Sequence, residues 1–398
     1  MTEFPASRRA LAGFFLSGLI LSFPGAILPA WGYHLQPRFV TIGNYFLAIV
    51  AGMLIAVRVS NIALRSRGSG QTLIGACAAT FLSVLLLSFT APPVKETWRI
   101  PCLAGIGFGA GLLNTAIFQA ISPAYRLNPA ATVNLAGIFF GLGSFVSPLL
   151  IAATFNVNAP AAFLYPVASI PALFALFYLK YGMPRERILP GRPLKEVARE
   201  FTIPGAILLS LVLFFHFGNE WAIAGWLPLF LILRLGLSPV AALILLAAYW
   251  LALLLGRIAV QALLHRVSHP KLLLGSVLAS LFGCVMLSLA SNLFGAWCGT
   301  LLIGLGFAPV YPLVVEAIGA RFPHYHPGLF NGIFSIGLTG GMLAPAMLGY
   351  FSESFGIRVV MLLPAAGTFV VLILILIIWL EAWFTERTSA RSSAKAGG

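Results

Sequence analysis

Aspartate is missing from this 398-residue chain, and charge of any kind is scarce: Asp, Glu, Lys and Arg make up 9% of residues, and all ten acidic ones are glutamate. A soluble domain carries roughly a quarter of its residues as charged side chains. A chain so poor in charge cannot clothe a water-facing surface, which excludes an ordinary soluble protein. Cysteine is equally sparse. Cys77, Cys102, Cys284 and Cys298 are scattered through apolar stretches with no CxxC spacing, so they read as free thiols and not as a disulfide or metal framework. No zinc motif or nucleophile elbow is present, and the Gly-rich stretch 105–111 lies inside an apolar run without a flanking strand. These absences speak against an enzyme and against any cofactor or metal. No ring-forming selectivity sequence points to a channel.

What the chain does have is apolar length. Sixty per cent of its residues are hydrophobic, and about 20 such residues cross the hydrocarbon core as a helix. Apolar runs at 10–34, 40–64, 71–91, 98–121, 131–155 and 160–180, then 203–233, 237–260, 272–292, 294–318, 329–352 and 358–383, predict an all-α membrane protein of twelve transmembrane helices. The expected domains are a six-helix bundle over 1–180, a cytoplasmic linker at 181–201, a second bundle over 202–384 and a disordered tail from 385. Arg8 and Arg9 resemble the start of a signal peptide, but eleven further runs favour an uncleaved first helix.

The net charge of +14 would suggest nucleic acid in a soluble protein. Here the basic residues lie between apolar runs and report orientation instead. With the N-terminus inside, 17 of the 24 Lys and Arg residues fall in cytoplasmic segments, among them Arg65, Arg67, Arg126, Arg266, Lys271 and Arg321. Only Arg38, Lys95, Arg99, Arg234 and Arg358 fall outside. Both termini are therefore expected in the cytoplasm, in the plasma (inner) membrane of a monomeric protein whose partners are the lipid bilayer and a small molecule. The segment KEVAREF fits either a short amphipathic helix on the inner leaflet or a solvated linker.

The two halves repeat. Arg58, Ala63, Leu64, Arg67 and Leu73 match Arg257, Ala262, Leu263, Arg266 and Leu272 at an offset of 199, and LAGIGF at 103–108 matches LIGLGF at 302–307. Asn134 and Pro148 match Asn331 and Pro345 at a slightly shorter offset. Six spans per repeat is an even number, so the repeats share one orientation, as in transporters whose bundles rock about a central site.

The loops ALRSRGSGQTL and ALLHRVSHPKLL resemble the basic loop of the major facilitator superfamily, although the first lacks that motif's aspartate. RLNPAATVNLAG at 126–137 is similar to the RLNxAxTxNxxG stretch of the fucose–proton symporter family. GNEWAIAGW at 218–226, GRIAVQALLHRVSHPKLL at 256–273, GFAPVYP at 306–312 and GLTGGMLAP at 337–345 resemble it too. The resemblance implies a major facilitator fold and sugar transport. It also implies proton-coupling acids in the first and fourth spans, where this chain has Gly25 and Asn114. That proton route does not carry over, so coupling must use another residue, use sodium, or be absent.

Glu220 is the leading candidate for coupling and substrate binding. It lies within the seventh apolar run, where an ionisable group is costly unless it faces a cavity or a partner; the alternative is a solvated acid at the outer boundary. His216, one turn earlier, could share a proton with it or simply pack. The amides Asn114, Asn219 and Gln119 suit sugar hydroxyls, which both donate and accept, or serve as glue between helices. Trp31, Tyr45, Trp226, Tyr249, Trp250 and Tyr311 are stacking candidates or interfacial anchors. Glu316 is expected to pair with Arg257 or Arg266 in an inward gate, with Asn134 and Asn331 as capping or gate residues. The residues thus point to transport of a monosaccharide coupled to a proton or to sodium. Export of a hydrophobic or cationic compound, its charge balanced by Glu220, is the alternative.

Overall fold

The computed structural model describes residues 4–127, 129–155, 161–183, 204–264, 266–321 and 327–396. Regular structure among them is helical throughout. The first group of helices is α1 (Phe4–Ala30), α2 (Phe39–Phe89), α3 (Arg99–Leu127), α4 (Pro129–Thr154) and α5 (Leu164–Tyr181), with a 3-10 turn at Glu96–Trp98. The second is α6 (Pro204–Leu235), α7 (Pro239–Leu263), α8 (His269–Leu289), α9 (Leu293–Phe307), α10 (Val310–Arg321), α11 (Pro327–Phe355) and α12 (Val359–Ala396). Eleven stretches among the described residues are long and apolar enough to cross a membrane. One of them, α2, is interrupted at Gly68, whose φ of 80° and ψ of 175° break the helix. A β-carbon disfavours positive φ, so glycine suits that break. The linker expected at 181–201 lies almost wholly outside the described residues. The backbone of α12 is helical as far as Ala396, where the sequence suggested disorder from 385 onward.

Burial is arranged inside out. Leu173, Leu176 and Leu179 on α5, Phe282 and Leu289 on α8, and Leu376, Ile377 and Leu380 on α12 are exposed. Apolar surface on that scale is stable only against lipid. α1 is the most enclosed span and α5 the least; the two groups meet mainly through α1, α2 and α4 of the first and α6, α7 and α11 of the second.

The first turns of α1, the Gly68 break and the end of α5 share one face, here called proximal: Arg9 Nη1 donates to Tyr181 O at 2.8 Å, and Met183 packs on Gly70. At the opposite, distal face the two groups meet backbone to backbone. A β-carbon at Gly25 on α1 would lie 2.2 Å from Ala224 O and 2.8 Å from Gly225 Cα on α6. A β-carbon at Gly349 on α11 would lie 2.6 Å from both Gly43 Cα and Phe39 O on α2. Small residues permit such close crossings. Beside them Tyr350 Oη donates to Asn44 Oδ1 at 2.6 Å, and Trp226 Nε1 donates to Pro345 O at 2.8 Å.

The distal loops of the first group are tied by Arg99. It is 4% exposed, and it donates to the carbonyls of Thr90 and Val94 and to the hydroxyls of Tyr33 and Tyr45 while lying 4.9 Å over the Trp31 ring. Tyr33 also donates to Glu96 Oε2 at 3.2 Å, and Glu96 pairs with Arg38. Burial first, then the Tyr45 hydroxyl, holds the Tyr33 phenol above its usual range, so it remains a neutral donor.

The Gly25 crossing explains why an acid is not found there: no side chain fits between α1 and α6. Gly25→Asp is expected to lower stability by about 3 kcal/mol or more, from overpacking and an unpaired buried charge. Thermal unfolding of the detergent-purified variant measures this, and an unchanged melting temperature would show that the crossing can yield.

Candidate substrate and coupling site

Near the middle of α6, His216, Asn219 and Glu220 are all buried, at 1%, 6% and 2% exposure. The i, i+4 spacing brings His216 Nε2 to 3.6 Å from Glu220 Oε2. The cation that answers Glu220 comes from α7: Arg257 Nη2 lies 3.8 Å from Glu220 Oε1, and Arg257 is itself 4% exposed. Two unit charges that far apart attract by about 4 kcal/mol at the effective dielectric of a protein. That attraction offsets a desolvation penalty of several kcal/mol per ion only when further hydrogen bonds help.

Those further bonds cross between the two helix groups. Arg257 Nη1 donates to Gly137 O of α4 at 2.8 Å, and Asn134 Nδ2 donates to Arg257 O at 3.4 Å. Gly137 admits the guanidinium because a β-carbon there would lie 2.8 Å from Arg257 Nη1. The single arginine therefore holds the carboxylate of one group and the backbone of the other. Tyr249 on α7 adds its hydroxyl, donated to Glu220 O at 3.3 Å.

On the far side of His216 a crevice too thin to hold water is lined by His216, Asn219, Ser280, Phe307 and Thr368. Asn219 Nδ2 donates there to Thr368 Oγ1 at 3.2 Å. Among the described residues, His216 Nε2, Glu220 Oε2 and Arg257 Nε are buried without a hydrogen-bond partner. Buried polar atoms are nearly always satisfied, so these three mark a polar centre that is closed and incompletely bonded.

Several predicted residues lie elsewhere. The expected pairing of Glu316 with Arg257 or Arg266 is corrected: Glu316 Oε1 lies 2.7 Å from His269 Nε2 at a half-exposed position within the second group. Arg257 is engaged one helix layer deeper, and Arg266 is exposed beyond the end of α7. The Asn331 side chain lies outside the described side chains. Asn114 accepts from Ser17 Oγ at 2.8 Å, a contact between α1 and α3, and Gln119 is half-buried five residues further along α3. Tyr311 packs on Phe217 and Phe334. Trp31 lies under Arg99 and against Tyr45, while Trp226 is sealed between Phe39, Phe46 and Pro345. Trp31 and Trp226 thus serve the distal loops and the distal crossing in this conformation.

Two participants escaped the sequence reading. Phe140 on α4 and Trp221 on α6 meet Trp250 of α7 in a mutual edge-to-face trio, with centroids 5.8 to 6.1 Å apart. Trp221 stands next to Glu220 in the chain, and Phe140 is one helical turn from Gly137.

A Major Facilitator Superfamily profile matches residues 126–339. The chain belongs to the Major Facilitator Superfamily. Among its relatives in the superfamily, an uncharacterised MFS-type transporter of Yersinia pestis is 23% identical over 364 residues, spanning 89% of this chain and 92% of that one. The glucose/mannose transporter GlcP of Bacillus subtilis is 25% identical over 363 residues, or 85% and 86% of the two chains. The structure resembles FucP, the E. coli fucose:proton symporter, in its outward conformation, with a TM-score of 0.64 at 16% identity over 95% of this chain and 99% of that one. That likeness shows the fold. As a superfamily member the protein is a multi-pass membrane transporter and not an enzyme.

Removing one member of a buried ion pair strands the other, at a cost of about 3–5 kcal/mol, whereas replacing both is far milder. Arg257→Met alone should therefore lower the melting temperature more than Arg257→Met combined with Glu220→Met. A double variant as unstable as the sum of the singles would show the two groups to be energetically independent.

Proposed function

We propose that this protein is a secondary active transporter of a monosaccharide, working by alternating access between two six-helix bundles and coupled to a cation through Glu220. The observation that carries the reading is the buried Glu220–Arg257 pair whose arginine also grips Gly137 across the two helix groups. Loss of the carboxylate's charge, by proton or by sodium, removes the pair attraction and leaves Arg257 held by Gly137 O and Asn134. Charge state and closure are then one equilibrium, and a ligand or ion shifts it only by its differential affinity for the open and closed forms.

Twelve spans follow from helix length. At 1.5 Å per residue the 51 residues of α2 would extend more than twice the hydrocarbon thickness, so the break at Gly68 makes two spans of it. α9 and α10 together make one, Leu293–Arg321. Equivalent crossings support the repeat: Gly18 on α1 packs on Phe140 O of α4, and Gly340 on α11 packs on Phe214 O of α6. The excess of Lys and Arg at the proximal face supports a cytoplasmic position for that face and both termini, within the plasma (inner) membrane. On this reading the domain limits are 1–180, 181–201, 202–384 and 385–398.

The relatives GlcP and FucP, named for glucose, mannose and fucose, support a sugar as substrate. Export of a cationic compound fits less well, because Glu220 already faces Arg257 and is no free counter-charge.

In proteoliposomes, D-glucose, D-mannose or L-fucose added outside should drive alkalinisation of the medium. Glu220→Gln should abolish that proton movement while sugar exchange persists. Accumulation that requires sodium and ignores a pH gradient would move the coupling to that ion. Stabilisation by hydrophobic cations, with no response to any of the three sugars, would overturn the reading.

A further inference from the structure

We propose that Trp221 and Trp250 form the stacking platform for the sugar ring and that Phe140 occupies this platform when the transporter is closed and empty. The inference rests on the monosaccharide reading above and locates its binding surface. Three observations carry it.

First, the trio spans the two helix groups at the middle of their helices: Phe140 comes from α4, whereas Trp221 and Trp250 come from α6 and α7. Transporters of this build place substrate near the membrane midplane between their bundles. Second, the Phe140 backbone is not free to move alone. A β-carbon at Gly18 would lie 1.9 Å from Phe140 O, and one at Gly143 would lie 1.9 Å from Phe15 O, so α4 is locked onto α1 backbone to backbone. The Phe140 backbone therefore moves together with α1, and that motion also breaks the Arg257–Gly137 contact three residues away. Third, Trp250 is fully buried, yet its indole N–H has no acceptor among the described residues. Indole N–H groups are usually bonded when buried, and a phenyl ring supplies no acceptor lone pair where a sugar hydroxyl would.

Once Phe140 withdraws, two indole faces and an unbonded donor are left beside Glu220. A pyranose suits that surface, since its C–H face stacks on aromatic rings and its hydroxyls accept from N–H. Phe140 and the sugar then compete for one place. Apparent affinity scales with the fraction of molecules whose platform is free.

Isothermal titration of D-glucose, D-mannose and L-fucose into detergent-purified protein tests the competition. Phe140→Leu should bind the preferred sugar more tightly, by about threefold or more. Trp250→Phe keeps the ring but removes the N–H, and it should bind about fivefold more weakly. If Trp250→Phe does not fold, the direction of the Phe140→Leu change decides alone. Weaker or unchanged binding by Phe140→Leu overturns the platform while leaving the sugar reading intact. A wild-type protein that binds none of the three sugars overturns both.

Discussion

A carboxylate at 2% exposure in a lipid-embedded protein cannot be left alone. Its ionised form loses the hydration that made it stable in water, and only a nearby cation and hydrogen-bond donors compensate. In this molecule the compensation is Arg257, and Arg257 is also bonded to a carbonyl of the opposite helix group. The cation that satisfies one side chain is thereby also a contact between the two groups of helices. The rest of the centre follows from that constraint: a glycine at position 137 to admit the guanidinium, Asn134 beside it, and His216 one turn from the acid.

The two groups contribute unequally. In the first, the acids that the resembling symporters carry are replaced by Gly25, buried in a backbone crossing, and Asn114, occupied by Ser17. This group offers carbonyls, amides and an aromatic ring. The second supplies the charges of the centre, through Glu220, Arg257 and the neighbouring His216. The closures differ as well. At the distal face they are crossings of glycine and alanine with a few neutral hydrogen bonds, which can part without stranding a charge. Nearer the proximal face the closure runs through the guanidinium of Arg257.

Much of this was legible along the chain. A span is announced by a run of apolar residues, because the solvent around it is hydrocarbon. Glu220 stood out since a carboxylate within such a run requires a special environment. His216 was placed beside it by helical periodicity alone. Phe140 and Trp221 were not legible, because aromatic residues are common in spans and only a contact between helices distinguishes these two. Buried Arg99 read as an ordinary loop cation, and its role appeared only when five partners from three segments closed around it. Glu316 was paired with the wrong cation for the same reason: charge composition shows that partners are available but not which of them is near.

Local quantities were therefore decided by the sequence: helix positions, the lipid-facing character of the chain, and the identity of the costly acid. These depend on short-range periodicity and on transfer to hydrocarbon, which act residue by residue. The tertiary structure alone decided which cation answers that acid, that the same cation spans the two helix groups, and which rings meet at the centre. Each of those depends on atoms of different helices meeting in space, across separations from 29 residues for Trp221 and Trp250 to 120 for Gly137 and Arg257.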